Sequence, residues 1–393
     1  MNELVAEVFD GERLRGLCRV RWRDGVIESV TELGSAEAPD GPRRYLVPGL
    51  VDTHVHLLGY AGADKSRVDG FSWPLVTTRE EQTLHVAANC RQALARGVTT
   101  LRELSGDRVQ VAVARAFDAG LLPGPRLLVG GPVGMTAGHG DLFTPPAVAV
   151  RPPVADSPDE CRKLVRTWAR DGLHAIKVYT SGGVLSIGDQ VGWRNHTRAE
   201  LEATVDEAHA LGMRVACHAH SEVGIAIALE LGVDSLEHAT QLTPEQADEL
   251  AARGIPVAPT LLINDLIASG KLGSSPEATA IAAELVASRD ERFADAARRG
   301  VDFILGTDAS GYFVRHGDQA LELQAMSRVF GWDAPRTLQA ATARAAAAIG
   351  LGDRVGRIAA GLAADLIVTD EAPWENLTAL SGDLTVVSRG EVV

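Results

Sequence analysis

The sequence predicts an α/β fold: a closed (β/α)8 barrel with a small β-sandwich built from both chain ends. Three observations lead there. Short apolar runs alternate with amphipathic stretches through the middle of the chain, a glycine recurs just after the helical stretches, and both ends break this rhythm. Strands that are apolar on both faces belong to a parallel sheet covered by helices on each side. Eight such units in about 300 residues favour closure into a barrel over an open sheet.

At the N-terminus, residues 17–21 and 26–30 flank Asp24-Gly25, a hairpin turn signal. Barrel strands are expected over 46–53, 97–104, 126–130, 174–180, 213–218, 232–237, 255–260 and 301–306. Helices are expected over 79–96, 157–171, 197–211, 222–231, 243–253 and 276–299. Thr197 before Glu200, and Thr243 before Glu245-Gln246, follow the capping-box pattern that satisfies the first free N–H groups of a helix. Gly97, Gly172, Gly212, Gly232, Gly254 and Gly300 stand where a helix ends in a left-handed residue. Beyond the alanine-rich helix former 340–348, residues 364–369, 383–387 and 390–393 read as short strands. The expected division is 1–47 with 355–393 as a composite β-sandwich, and 48–354 as the catalytic barrel.

Composition narrows the function. The chain has 46% hydrophobic and 23% charged residues, an ordinary globular balance. A net charge of −14 argues against nucleic acid or an anionic membrane surface as partner. No apolar run approaches the ~20 residues that span a bilayer, and the first residues lack a basic stretch followed by an apolar core, so no secretory signal is expected. Cys18, Cys90, Cys161 and Cys217 show no C-x-x-C spacing, which suits a reducing cytoplasm. A cytoplasmic protein acting on a small-molecule substrate fits these bounds.

The chemistry lies at the strand ends. His54-Val55-His56 closes the first barrel strand, and alternation sends residues i and i+2 to one face, so both imidazoles can reach one cation. Lys177 sits in the fourth strand, His218 ends the fifth, His238 the sixth and Asp308 the eighth. In a barrel these ends share one mouth. Imidazole and carboxylate suit Zn²⁺, which lowers the pKa of a bound water towards ~7. A protonated Lys177 cannot bind a cation, but burial beside positive charge leaves a neutral amine that can take up CO₂ as a carbamate. His218 and His220 share a face and compete for the same role. His218 is preferred because it lies within the strand, which leaves His220 to line the substrate side. Glu103 either hydrogen-bonds a metal-binding histidine or pairs with Arg102. Tyr179, Arg315 and His316 are candidate substrate contacts, arginine being the natural partner of a carboxylate. Loops 59–74, 138–153, 185–196 and 262–275 are expected to set specificity, with Trp73, Trp193 and Phe313 in or near them as an apolar pocket.

These blocks resemble the metal-dependent amidohydrolase superfamily along nearly the whole chain: Val-Pro-Gly-Leu-Val-Asp-Thr-His-Val-His (47–56), Ile-Lys-Val-Tyr-Thr-Ser-Gly-Gly (176–183), Val-Ala-Cys-His-Ala-His (215–220), Ser-Leu-Glu-His (235–238), Gly-Thr-Asp (306–308) and Gly-Leu-Ala-Ala-Asp-Leu (361–366). The lysine on strand four resembles the imidazolonepropionase-like branch with Xaa-Pro and Xaa-Arg dipeptidases and ochratoxin-type amidases. The resemblance implies two divalent metal ions, one held by His54, His56 and Asp308, the other by His218 and His238, with carboxylated Lys177 bridging. It implies Asp308 as proton shuttle, His139 facing the substrate carbonyl where it could stabilise an oxyanion, and a homo-oligomer. A hydrolase of an amide-type bond in a dipeptide or N-acyl amino acid is the expected activity. The same ligands also serve carbamates, ureas, esters and lactams of xenobiotic or secondary-metabolite type. A scaffold that has lost its metals is the non-catalytic alternative, and the intact ligand set counts against it.

Overall fold

A computed structural model describes residues 1–34, 41–64, 70 and 72–393. Residues 65–69 and 71 of the 59–74 loop, and 35–40 of the N-terminal segment, lie outside the described residues. The strands in chain order are β1 (Asn2–Phe9), β2 (Leu14–Arg23), β3 (Val26–Glu32), β4 (Tyr45–Pro48), β5 (Leu50–Val55), β6 (Val98–Glu103), β7 (Arg126–Pro132), β8 (Ala175–Tyr179), β9 (Arg214–Ala219), β10 (Ser235–His238), β11 (Val257–Ala258), β12 (Leu366–Thr369), β13 (Thr385–Ser388) and β14 (Glu391–Val392).

β5 to β11 form one parallel sheet in sequence order, joined by helical crossovers. The ring is closed by the segment after residue 300, which runs extended between β11 and β5 without the regular ladder of its neighbours. Val257 N donates to Asp302 O at 2.9 Å, Thr53 N to Leu305 O at 2.9 Å and His56 N to Ala309 O at 2.8 Å. The expected eighth strand is therefore present as a bridging segment, and the barrel fold stands.

Every residue of β5, β6 and β8 is buried, as a sheet between helices and a filled interior requires. Polar residues within these strands must find partners inside, which turns the barrel mouth into a dense polar network. Thr197 and Thr243 both form the capping boxes read from sequence, and Gly172, Gly232, Gly254 and Gly300 close their helices in left-handed conformation. One expected helix is two: 276–299 divides into Pro276–Val286 and Arg289–Arg299, with Ser288 outside helical geometry at the join.

The two chain ends meet in a single seven-stranded mixed sheet, ordered β14-β13-β12-β4-β1-β2-β3. β12 pairs antiparallel with β4, so the last part of the chain fastens the first. Gly49 alone separates β4 from β5, and a Cβ there would stand 2.2 Å from Thr99 Oγ1. Only glycine lets the chain pass so directly from the mixed sheet into the barrel and place the His-x-His strand. Among the described residues, no helix is long and apolar enough to cross a membrane.

Candidate metal centre

A cavity of about 540 Å³ opens at the barrel mouth, and His54, His56, Lys177, His218, His238 and Asp308 all line it. Asp308 anchors one half: its Oδ1 lies 3.1 Å from His56 Nε2 and 3.7 Å from His54 Nε2. In the other half, His218, His220 and His238 bring one ligand atom each to within 4.8 Å of one another. His238 links the halves, because it groups in the same way with His54 and Asp308. His218 and His220 both reach His238, with ring centroids 4.6 Å away in each case.

The remaining nitrogen of each imidazole is held from behind. His54 Nδ1 contacts Glu237 Oε2 at 2.8 Å, His238 Nδ1 contacts Thr260 Oγ1 at 2.7 Å, and His220 Nδ1 contacts Thr240 Oγ1 at 2.9 Å. His218 Nε2 lies 3.3 Å from Gly182 O, and His56 Nδ1 lies 3.5 Å from Glu103 Oε1. An acceptor on one nitrogen directs the other, with its lone pair, towards a cation. His238, Ala239, Thr260 and Asp308 have φ of 72°, 51°, 47° and 55°. Non-glycine residues in this region cost on the order of 1–3 kcal/mol each and persist where surrounding contacts over-determine them. Here they turn strand ends inward.

Electrostatics agree with a cation site. Burial pushes His54 down to about 4 and His220 to about 3, and His218 and His238 well below the ordinary imidazole range, with Lys177 adding to each. These rings are neutral and free to ligate. Burial opposes a charge on His56 as well, but Asp308 and Glu103 outweigh it and lift it to about 9. A cation between His56 and Asp308 would take the place of that proton. Burial raises Asp308, yet His54, His56 and Lys177 hold it at about 2. Lys177 is 2% exposed, and burial lowers its pKa against the opposing pull of Glu237 and Asp308. Among the described residues it makes no salt bridge. The donor set therefore fits divalent metal.

A match to the amidohydrolase family covers residues 45–393. The chain belongs to this family. It is 31% identical over 400 residues to ochratoxinase from Aspergillus niger, covering 94% of this chain and 80% of that protein. It is 26% identical to imidazolonepropionase from Stenotrophomonas maltophilia (strain R551-3), with 93% and 89% covered. Among solved structures, a Xaa-Pro dipeptidase with bound methionine superposes with a TM-score of 0.87 at 28% identity, covering 99% and 98% of the two chains. This amidohydrolase is accordingly a hydrolytic enzyme.

Other expected contacts divide sharply. His139 and Tyr179 line the cavity, the His139 ring stacked on His218 at 4.2 Å. Burial pushes the Tyr179 phenol to about 12, against a hydrogen bond with Ser105. Arg315 does not reach the site. Its side chain is exposed and, with His316, lines a separate depression beside Arg96 and Asp318, because the chain leaves the cavity wall after Phe313. Of the three expected aromatics only Phe313 lines the cavity. Trp73 is buried elsewhere and Trp193 is 48% exposed, while Tyr60, Phe143 and Tyr312 supply the aromatic wall.

Sequence reading missed the buried carboxylate of Glu237. It accepts from Arg102 Nη2 at 2.8 Å and Ser235 Oγ at 2.7 Å as well as facing His54. Arg102 therefore pairs with Glu237 rather than with its neighbour Glu103, which accepts from Leu57 N and Ser105 N. Alternation explains this: successive strand residues face opposite ways. The signal available was Glu237 itself, a charged residue inside an apolar strand.

Proposed function

We propose that this amidohydrolase is a binuclear Zn²⁺ enzyme that hydrolyses an amide-type bond in a small molecule, a dipeptide or N-acyl amino acid. One observation carries the reading: Lys177 stands buried, with no salt bridge among the described residues, beside two groups of metal-type ligands that share His238. His54, His56 and Asp308 would hold one ion, His218 and His238 the other, and Lys177, as a CO₂-derived carbamate, would lie between them. Bound metal supplies acidification of water and polarisation of the scissile carbonyl. Asp308 takes the proton of the attacking water and passes it to the leaving nitrogen. His139 faces the carbonyl across the cavity, and His220 and Tyr179 line the substrate side. The relatives named ochratoxinase and Xaa-Pro dipeptidase support the amide class. Four cysteines, all free and buried, support a cytoplasmic setting, and family resemblance supports a homo-oligomer.

Elemental analysis with a hydrolysis panel tests this. The zinc-loaded protein should carry two equivalents per chain, cleave dipeptides or N-acyl amino acids, and lose that activity on chelation. A metal-free protein, or turnover confined to carbamates and esters, would overturn it. Glu237→Gln should weaken zinc binding by about 10–100-fold, because His54 loses its charged anchor. Competition against a chelating dye measures this, and unchanged affinity would remove Glu237 from the metal site.

A further inference from the structure

The segment that follows β8 is built around His139. Gly183 lies against that ring so closely that a Cβ would stand 2.0 Å from His139 Cε1, and a Cβ on Gly182 would stand 2.1 Å from Gln190 O. Asn195 Oδ1 accepts from His139 N at 2.7 Å, and Ile187 N donates to Leu142 O at 3.0 Å, so the two loops grip each other on both sides of the histidine. Within this cradle Asp189 Oδ2 lies 3.2 Å and Ser186 Oγ 2.8 Å from His139 Nδ1. Asp189 is buried; Oδ2 also accepts from Gly183 N at 2.8 Å and Oδ1 from Gln190 N at 2.8 Å.

We propose that Asp189 is the positioning residue for His139, accepting the hydrogen bond of its Nδ1–H and thereby presenting Nε2 to the substrate. The inference rests on the hydrolase reading above and adds a residue to it. A carboxylate whose oxygens already receive backbone N–H groups is an acceptor only, so the imidazole nitrogen facing it must be the donor. Ser186 accepts as well as donates and does not force the other tautomer. His139 Nε2 has no protein partner among the described residues, and the residue lines the cavity. A carboxylate that fixes ring orientation and tautomer is the arrangement by which a buried histidine is aimed at a reacting group. The lysine strand and the loop that orients His139 are continuous in sequence, so one element carries the ligand and aims its neighbour.

Two readouts test this. The first is ¹⁵N NMR of the zinc-loaded protein with labelled histidine, the His139 ring being assigned by its loss in His139→Asn. It should show Nδ1 carrying a proton, and Asp189→Asn should shift the proton towards Nε2. The second is steady-state kinetics. Asp189→Asn should lower kcat by on the order of 10–100-fold with KM changed less than about 3-fold, and the same change should cost less than about 2-fold in a His139→Asn background. An unprotonated Nδ1 in the unaltered protein would overturn the proposal, as would an equal loss in both backgrounds or an unchanged kcat in a folded, zinc-loaded Asp189→Asn protein. If no substrate is turned over at all, the hydrolase reading fails, while the spectrum still decides the Asp189 contact.

Discussion

Asp308→Asn is expected to leave the fold intact and to lower kcat by about 10²–10⁴-fold, the range general acid–base catalysis supplies. The loop that carries Asp308 does not depend on its carboxylate. Asp308 N donates to His54 O at 2.8 Å. Next to it, Thr307 N and Oγ1 donate to Asp52, which also accepts from His54 N at 3.2 Å and Gln319 Nε2 at 3.0 Å. Asparagine also tolerates the left-handed backbone that Asp308 adopts at φ 55°. The amide keeps the shape but cannot take up a proton at neutral pH, so the loss should fall on turnover. Thermal melting and zinc content serve as controls. A zinc-loaded Asp308→Asn protein with ordinary kcat would remove Asp308 as the proton carrier.

Lys177→Ala is expected to lose both bound metal and activity, with partial recovery on adding a short-chain carboxylic acid. The side chain is enclosed and, among the described residues, makes no direct salt bridge, so removing it deletes a buried amine whose desolvation opposes folding and should not destabilise the fold. What disappears is the bridge. A small carboxylate entering the vacated space offers two oxygens in the manner of the carbamate, and restores part of the ligand set. Zinc content and kcat, measured with and without formate, acetate or propionate, check the expectation. Full activity without any supplement would refute the bridging role.

Much of this molecule was readable in the chain. Buried strands announce themselves as unbroken apolar runs, and the capping threonines and closing glycines mark helix ends locally, so the barrel, its helices at 197 and 243, and the pairing of both chain ends followed from residues alone, although the ends form one mixed sheet where a β-sandwich was expected. The ligand candidates His54, His56, Lys177, His218, His238 and Asp308 were legible because each is a polar residue within or at the end of an apolar strand, and barrel geometry sends the strand ends to one place. The break at Ser288 was not legible, because helical periodicity continues on both sides of it. Nor was the fate of Arg315, since a loop's path depends on what it packs against and not on local pattern.

By itself, the sequence determined which side chains stand at the barrel mouth and hence the family to which the chain belongs, because strand alternation and helix capping are short-range rules that act on each segment separately. Only the tertiary structure decided what stands behind them: Glu237 on His54, Thr260 on His238, Asp189 on His139, and Arg102 turned to Glu237. Those contacts join residues up to 183 positions apart. Their geometry depends on how neighbouring strands register and how loops fold back, which no single stretch of chain encodes.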